Sequence, residues 1–196
     1  MSLFYFITLK IQGIIANRRK RIMTEEYVIL VDSQGEFQGL QEKMAAHKEG
    51  ALHLAFSVLL YRNTPSGREY LLQQRAMHKY HSGGLWTNTC CSHPRQHESI
   101  EQAGIRRLAE EMGITDVNAL TDIGHFCYHA TLDNQLFEHE LDYVLVADAS
   151  EISVVPNPDE VMDYRWWKEE DIKQALESQP ELFTAWFSQV FAFAIK

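Results

Sequence analysis

The chain has 196 residues, 45% of them hydrophobic and 23% charged, the balance of one soluble globular domain with a core of its own. No run reaches the roughly 18 apolar residues of a transmembrane helix, so no membrane-spanning segment is expected. The formal net charge is −9, from 18 basic and 27 acidic residues, which disfavours a nucleic-acid partner and means that an anionic ligand needs a local basic pocket or a metal ion.

Residues 1–22 carry five basic residues and no acidic one. Their apolar run, Leu3-Phe4-Tyr5-Phe6-Ile7, precedes the charges, and no small-residue cleavage site follows, unlike a signal peptide. Met23-Thr24-Glu25-Glu26 reads as a more ordinary start, which makes 1–22 a basic upstream extension and 23–196 a single domain. A basic amphipathic segment for a membrane or partner is the alternative reading of 1–22. The three cysteines, Cys90, Cys91 and Cys127, make a poor disulfide framework and predict a reducing, cytoplasmic setting.

Segments 27–31 and 52–61 are β-type runs. Between the second run and a further β segment at 70–74, Asn63-Thr64-Pro65-Ser66-Gly67 has turn chemistry, so the two form a hairpin. Segment 85–91 is also extended. The strongest helix lies at 99–112, where Ser99 and Gln102 fit a capping box, Gly113 suits the position after the last turn, and Ile100, Ile105, Leu108 and Met112 form an apolar stripe. Strands are expected at 123–131 and 136–147, about the turn-like Asp133-Asn134, with Arg165-Trp166-Trp167 closing the sheet. Segments 168–178 and 182–195 read as helices. The fold class is therefore α+β, a mixed sheet covered by helices.

Side chains alternate along a strand, so Glu138 and Glu140 point to one side, roughly 7 Å apart, and His139 to the other. If Leu141, Tyr143 and Leu145 face a core, the two glutamates and Asp142 face elsewhere; a solvated strand face is the plain reading. Cys91 and His93 share the same two-residue spacing. His47 and His53 lie in and after an apparent loop. Three histidines and two carboxylates would form a nitrogen and oxygen site suited to Mn²⁺, Mg²⁺ or Zn²⁺, although spacing alone does not assemble them.

Arg106-Arg107-Leu108-Ala109-Glu110-Glu111-Met112-Gly113-Ile114, with Glu98 eight residues before Arg106, resembles the Nudix box, whose helix carboxylates hold a divalent cation on a diphosphate. Ser92 stands where that pattern has Gly, and Arg107 where it has the first Glu of an Arg-Glu pair. The change removes a negative charge and adds a positive one, which impairs hydrolysis and favours diphosphate binding. Trp86-Thr87-Asn88-Thr89-Cys90-Cys91-Ser92-His93-Pro94, this altered box and Asp159-Glu160-Val161-Met162-Asp163-Tyr164 together resemble the type 1 isopentenyl-diphosphate isomerase family, over about residues 25–187.

The resemblance implies a Nudix-type α/β/α sandwich that interconverts isopentenyl and dimethylallyl diphosphate in isoprenoid precursor biosynthesis. It makes Cys91 and Glu140 the catalytic groups on opposite faces of the allyl unit, and Tyr128 the hydrogen-bond partner of Glu140. His47, His53, His93, Glu138 and Glu140 match a metal site, and Glu111 matches the ligand of a second, diphosphate-bridging Mg²⁺. Lys43, Arg75, Lys79 and Arg107 match phosphate-binding cations. Trp186 matches a tryptophan whose ring stabilises the carbocation; packing beside Phe183, Phe187 and Phe191 is its equal alternative. Two other functions remain in view, a Nudix hydrolase of nucleoside diphosphate derivatives and a non-catalytic zinc-binding protein.

Overall fold

The computed structural model describes residues 26–196, so the basic extension at 1–22 lies outside the described residues. The strands are β1 (Tyr27–Val31), β2 (Phe37–Glu42), β3 (His53–Thr64), β4 (Gly67–Arg75), β5 (Trp86–Thr87), β6 (Cys90–Ser92), β7 (Thr121–Thr131), β8 (Phe137–Asp148) and β9 (Val161–Lys168). The helices are α1 (Lys43–Glu49), α2 (Ile100–Met112), α3 (Glu169–Ser178) and α4 (Phe187–Ala194).

The strands form one mixed sheet centred on β3. Most pairs are antiparallel, but β3 and β8 run parallel, with His53 opposite Glu140 and Ala55 opposite Asp142. On its other side β3 pairs with β6, placing Ser57 opposite Cys91 and Val58 opposite Cys90. β7 follows β8 antiparallel, with Tyr128 opposite Glu140.

Two apolar layers cover the sheet, and the alternation of β3 feeds both. Phe56, Val58 and Leu60 join Cys90, Leu108 and Met112 under α2. Leu59 joins Val144, Ile172, Phe187, Val190 and Phe191 under α3 and α4. The result is a helix–sheet–helix sandwich. Both faces of β8 are therefore covered: Leu141 and Leu145 are buried on one, and Glu138, Glu140 and Asp142 on the other. The carboxylates do not form a solvated strand face.

The capping box at the start of α2 is present, with Ser99 and Gln102 each accepting from the other's backbone N–H. Gly113 ends the helix in the left-handed region (φ 62°), where an added Cβ would lie 2.2 Å from the Val155 carbonyl oxygen. The hairpin turn closes at Thr64 opposite Gly67, as the turn chemistry predicts.

Four expectations are corrected. The 85–91 strand is two short strands, β5 and β6, and the last sheet strand runs over Val161–Lys168 instead of 165–167. The helix expected at 182–195 begins only at Phe187, because Phe183 pairs with Trp86 and the Thr184 N–H donates to the Trp86 carbonyl at 3.0 Å. His47 lies on the seven-residue helix α1, not in a loop.

Candidate active site

α1 is nucleated by a side chain. The Glu42 carboxylate accepts from the backbone N–H of Met44 and Ala45 at 2.9 and 2.8 Å, satisfying two first-turn donors. The helix presents Lys43 and His47, then stops at Gly50, whose φ of 67° lets the chain turn into β3 at His53. His47 and His53 are fully buried.

Backbone acceptors fix both rings. His47 Nδ1 lies 2.7 Å from the Lys43 carbonyl oxygen, and His53 Nδ1 lies 2.8 Å from that of Ala51. A carbonyl only accepts, so each Nδ1 carries the hydrogen and each Nε2 turns a lone pair inward. There, His53 Nε2 is 3.2 Å from His93 Nε2, and Glu140 Oε1 lies 2.9 Å from His93 Nε2 and 3.5 Å from His53 Nε2. Donor atoms of His47, His53, His93 and Glu140 all lie within 4.8 Å of one another. His47 Nε2 and Glu138 Oε2, 3.4 Å apart, are buried without a hydrogen-bond partner. Inward lone pairs, a carboxylate and two orphaned buried acceptors are what a divalent cation satisfies, and hydrogen bonds alone do not.

The electrostatics agree. Burial pushes His93 down to about 3, so it stays neutral, as a ligand must. Burial would raise Glu140, but the adjoining imidazoles of His53 and His93 hold it well below the usual range, as the carboxylate. Burial, and then the adjacent Glu140 charge, push Glu138 well up. One metal charge would relieve the repulsion between the two.

Tyr128 Oη donates to Glu140 Oε2 at 2.5 Å. Cys91 lies beyond β3 on the same face, and burial pushes its thiol up, so it carries its proton at neutral pH. Its neighbour Cys90 points into the opposite apolar layer. Trp186, buried at the start of α4, donates from Nε1 to Asn88 Oδ1 at 3.1 Å. Its ring borders the cavity and also packs with the aromatic layer, so the two readings of this residue coexist.

Cys91, Tyr128, Glu138, Glu140, His93 and Trp186 line one cavity with Lys43, Arg75, Lys79, Arg107 and Glu111. His47 and His53 join His93 and Glu140 in the metal group. The candidate catalytic, metal-ligating and phosphate-binding residues named from the sequence thus lie in this cavity or this metal group. Three of the four cations hold acids: Lys43 with Glu26 at 2.9 Å, Lys79 with Glu160 at 2.5 Å, and Arg107 with Glu110, Glu111 and Glu160. Arg75 has no carboxylate partner among the described residues. Its guanidinium sits 5.7 Å from the Trp186 ring and donates to the His81 carbonyl at 3.3 Å, while its buried Nε has no partner. A buried unpaired cation is a site for an anion.

Sequence reasoning missed Gln73, Tyr80, His81 and the role of Glu160. Tyr80 lies between Lys43 and Lys79, with their ammonium groups 5.5 and 5.9 Å from its ring, and burial raises its phenol to about 12. Gln73 donates to Glu111 Oε2 at 2.8 Å. Tyr80 and His81 sit in the Gly-rich turn between β4 and β5, which has no periodicity to expose them. The Asp159-Glu160 motif was visible but carried no assigned role.

The NUDIX domain family matches residues 51–187 of the chain. The chain is 62% identical to the isopentenyl-diphosphate Delta-isomerase of Photobacterium profundum, over 89% of this chain and 97% of that protein. It is 53% identical to a protein of the same name from Aliivibrio fischeri, over 85% of this chain and 93% of that one. Among solved structures it is similar to a Deinococcus radiodurans protein (TM-score 0.66, 17% identity, 87% of this chain and 100% of that one). It is also similar to the MutT protein from Methanosarcina mazei (TM-score 0.57, 22% identity, 74% of this chain and 94% of that one). At these identities the two structures speak to the fold alone.

Proposed function

The chain belongs to the isopentenyl-diphosphate Delta-isomerases of the NUDIX domain family and interconverts isopentenyl and dimethylallyl diphosphate in isoprenoid biosynthesis; from that premise we propose that Cys91 and Glu140 move the protons. The observation that carries this reading is their placement. They are on β6 and β8, which flank β3, and they border one cavity, the thiol protonated and the carboxylate charged.

The reaction adds one proton to C4 of the alkene and removes one from C2, through a tertiary cation at C3. An unactivated alkene is a weak base, so the donor must be held against it and water kept from the cation. The cavity walls of Trp186 and Tyr128, both buried, and Cys91 serve both needs. The Trp186 ring turns its negative face to developing charge. The Tyr128 hydrogen bond orients Glu140 and stabilises its charged form.

A divalent metal fits the His/Glu cluster. We assign its ligands as His47, His53, His93, Glu138 and Glu140, and its identity as Mn²⁺, Mg²⁺ or Zn²⁺. When bound, the ion would orient Glu140 and tune its acidity. Glu111 is assigned to a second ion, Mg²⁺, which would offset the charge of the substrate diphosphate when bound. Arg75, with Lys43, Lys79 and Arg107 beside it, supplies the diphosphate clamp, and the acid partners of the last three hold them extended until phosphate oxygens displace those contacts. The small-molecule diphosphate is the partner this pocket fits. Three unpaired cysteines support a reducing, cytoplasmic setting. No described helix is long and apolar enough to cross a membrane.

The test is proton NMR of the metal-loaded protein with isopentenyl diphosphate in D₂O. Growth of the allylic methyl signals, with deuterium entering at C2 and C4, is expected from the parent and not from Cys91→Ser or Glu140→Gln. Near-parent turnover in both folded variants overturns the assignment of roles.

A further inference from the structure

We infer that His81 is a positioning residue for the metal centre: it holds one oxygen of Glu138 so that the other faces the ion. The inference rests on the metal reading above and adds a residue to it.

His81 is 4% exposed and Glu138 is 3% exposed, so their contact is shielded from water. His81 Nε2 lies 3.2 Å from Glu138 Oε1. On the far side of the ring, Nδ1 lies 3.1 Å from the Ser82 hydroxyl. A carboxylate oxygen accepts only, whereas a serine hydroxyl can donate. The arrangement that satisfies both contacts puts the hydrogen on Nε2, with His81 donating to Glu138 and Ser82 donating to Nδ1. Glu138 then has Oε1 occupied and Oε2 free, and Oε2 is the atom left without a partner beside His47 Nε2.

Donor atoms of His47, His81 and Glu138 form a second convergent group next to that of His47, His53, His93 and Glu140. The two groups share His47, and one imidazole nitrogen serves one ion, so they do not describe two separate sites. One ion takes the four-donor group, His47 included, and Glu138 Oε2, which leaves His81 to fix the carboxylate from behind. Ligating carboxylates generally need such an outer hydrogen bond to hold their direction. The backbone around His81 is built to supply it. Arg75 donates to the His81 carbonyl, and Ser82 sits at φ 52°, a left-handed conformation that a non-glycine residue adopts only when held there.

The test measures the affinity of the metal-free chain for Zn²⁺ by competition with a chromophoric chelator. His81→Phe is expected to weaken binding about 10–100-fold, with the parent's circular dichroism retained. His81→Gln, whose amide can still donate to Oε1, is expected to recover most of that loss. In a Glu138→Ala background, His81→Phe should change affinity less than about twofold, because the group it positions is gone. If the phenyl ring prevents folding, His81→Ala takes its place in both backgrounds. An unchanged affinity in the single variant, or an equal loss in both backgrounds, overturns the inference and leaves the metal reading intact. A parent chain that binds no Zn²⁺ overturns both.

Discussion

Gln73, buried on β4, donates from Nε2 to Glu111 Oε2 at 2.8 Å, joining the strand to the last turn of α2. The other carboxylate oxygen is held by Arg107, so Glu111 cannot rotate. Gln73→Leu removes that donor and leaves Oε2 buried and unpaired, a cost of about 1–3 kcal/mol. The expected result is a lower Tm and a several-fold higher Mg²⁺ concentration at half-maximal rate, read by a Mg²⁺ titration of steady-state activity. An unchanged titration would separate Glu111 from the bridging ion.

Tyr128→Phe deletes the hydrogen bond to Glu140 and keeps the ring. Hydrogen bonds to charged groups contribute about 1.5–3 kcal/mol, so kcat should fall roughly 10–100-fold while KM moves less than about threefold. Steady-state kinetics decide it, and a change confined to KM argues against a role in the proton-transfer step.

The adjacent cysteines should separate cleanly. Cys91→Ser is expected to leave Tm near the parent's and lower turnover by at least about 100-fold. Cys90→Ser places a hydroxyl in the apolar layer under α2, so Tm should drop, with the rate per folded molecule close to that of the parent. The opposite pattern would exchange their roles.

Chelation should expose the metal's contribution to stability. The orphaned Nε2 of His47 and Oε2 of Glu138 lose their partner when the ion leaves. With metal restored to about 100 times its dissociation constant, the gain is about 2.7 kcal/mol, or roughly 5–10 °C in Tm for a domain of this size. A Tm indifferent to chelation and to added Mn²⁺, Zn²⁺ and Mg²⁺ would count against the cluster as a metal site.

Glu98 titrates away from that cluster. Hydrogen bonds from Arg106, at 2.7 and 2.9 Å, hold its carboxyl below the usual range. A carboxyl depressed in the folded state stabilises above its unfolded pKa of about 4.3, and that contribution disappears as pH falls through the lower folded value. Arg106→Leu removes the largest cause of it, so the Tm deficit of the variant should be largest near pH 6 and shrink towards pH 3. A deficit that is constant over the range contradicts the assignment.

What the sequence displayed was decided locally. The capping box at Ser99, the stop at Gly113 and the Thr64–Gly67 turn each depend on a few neighbouring residues, and each stands as read. β2 was invisible because no residue of Phe37–Glu42 is fully buried, so there is no clean alternation to detect. α1 is too short for a helical period, and the Glu42 cap that starts it acts from outside it. The late start of α4 is a tertiary decision, since Trp86 captures the backbone at Phe183 and Thr184. For the site, motif resemblance carried the cations and ligands. His81 and Gln73 escaped because their partners, Glu138 and Glu111, lie 57 and 38 positions away in sequence, and only burial shows that they matter.

Glu140 sits where three strands agree: opposite His53 on β3 and opposite Tyr128 on β7. A slip of one residue in either pairing would turn it to the other face, and would also bring the alternating apolar residues of β8 out of their layer. The chain therefore has no misregistered form that is compact yet still assembles this carboxylate with its neighbours. Catalytic competence acts as a proofreading signal for strand alignment. Insertions in the turn at Asp133–Gln135 that shift the register of β7 against β8 should yield molecules that lose core and chemistry together.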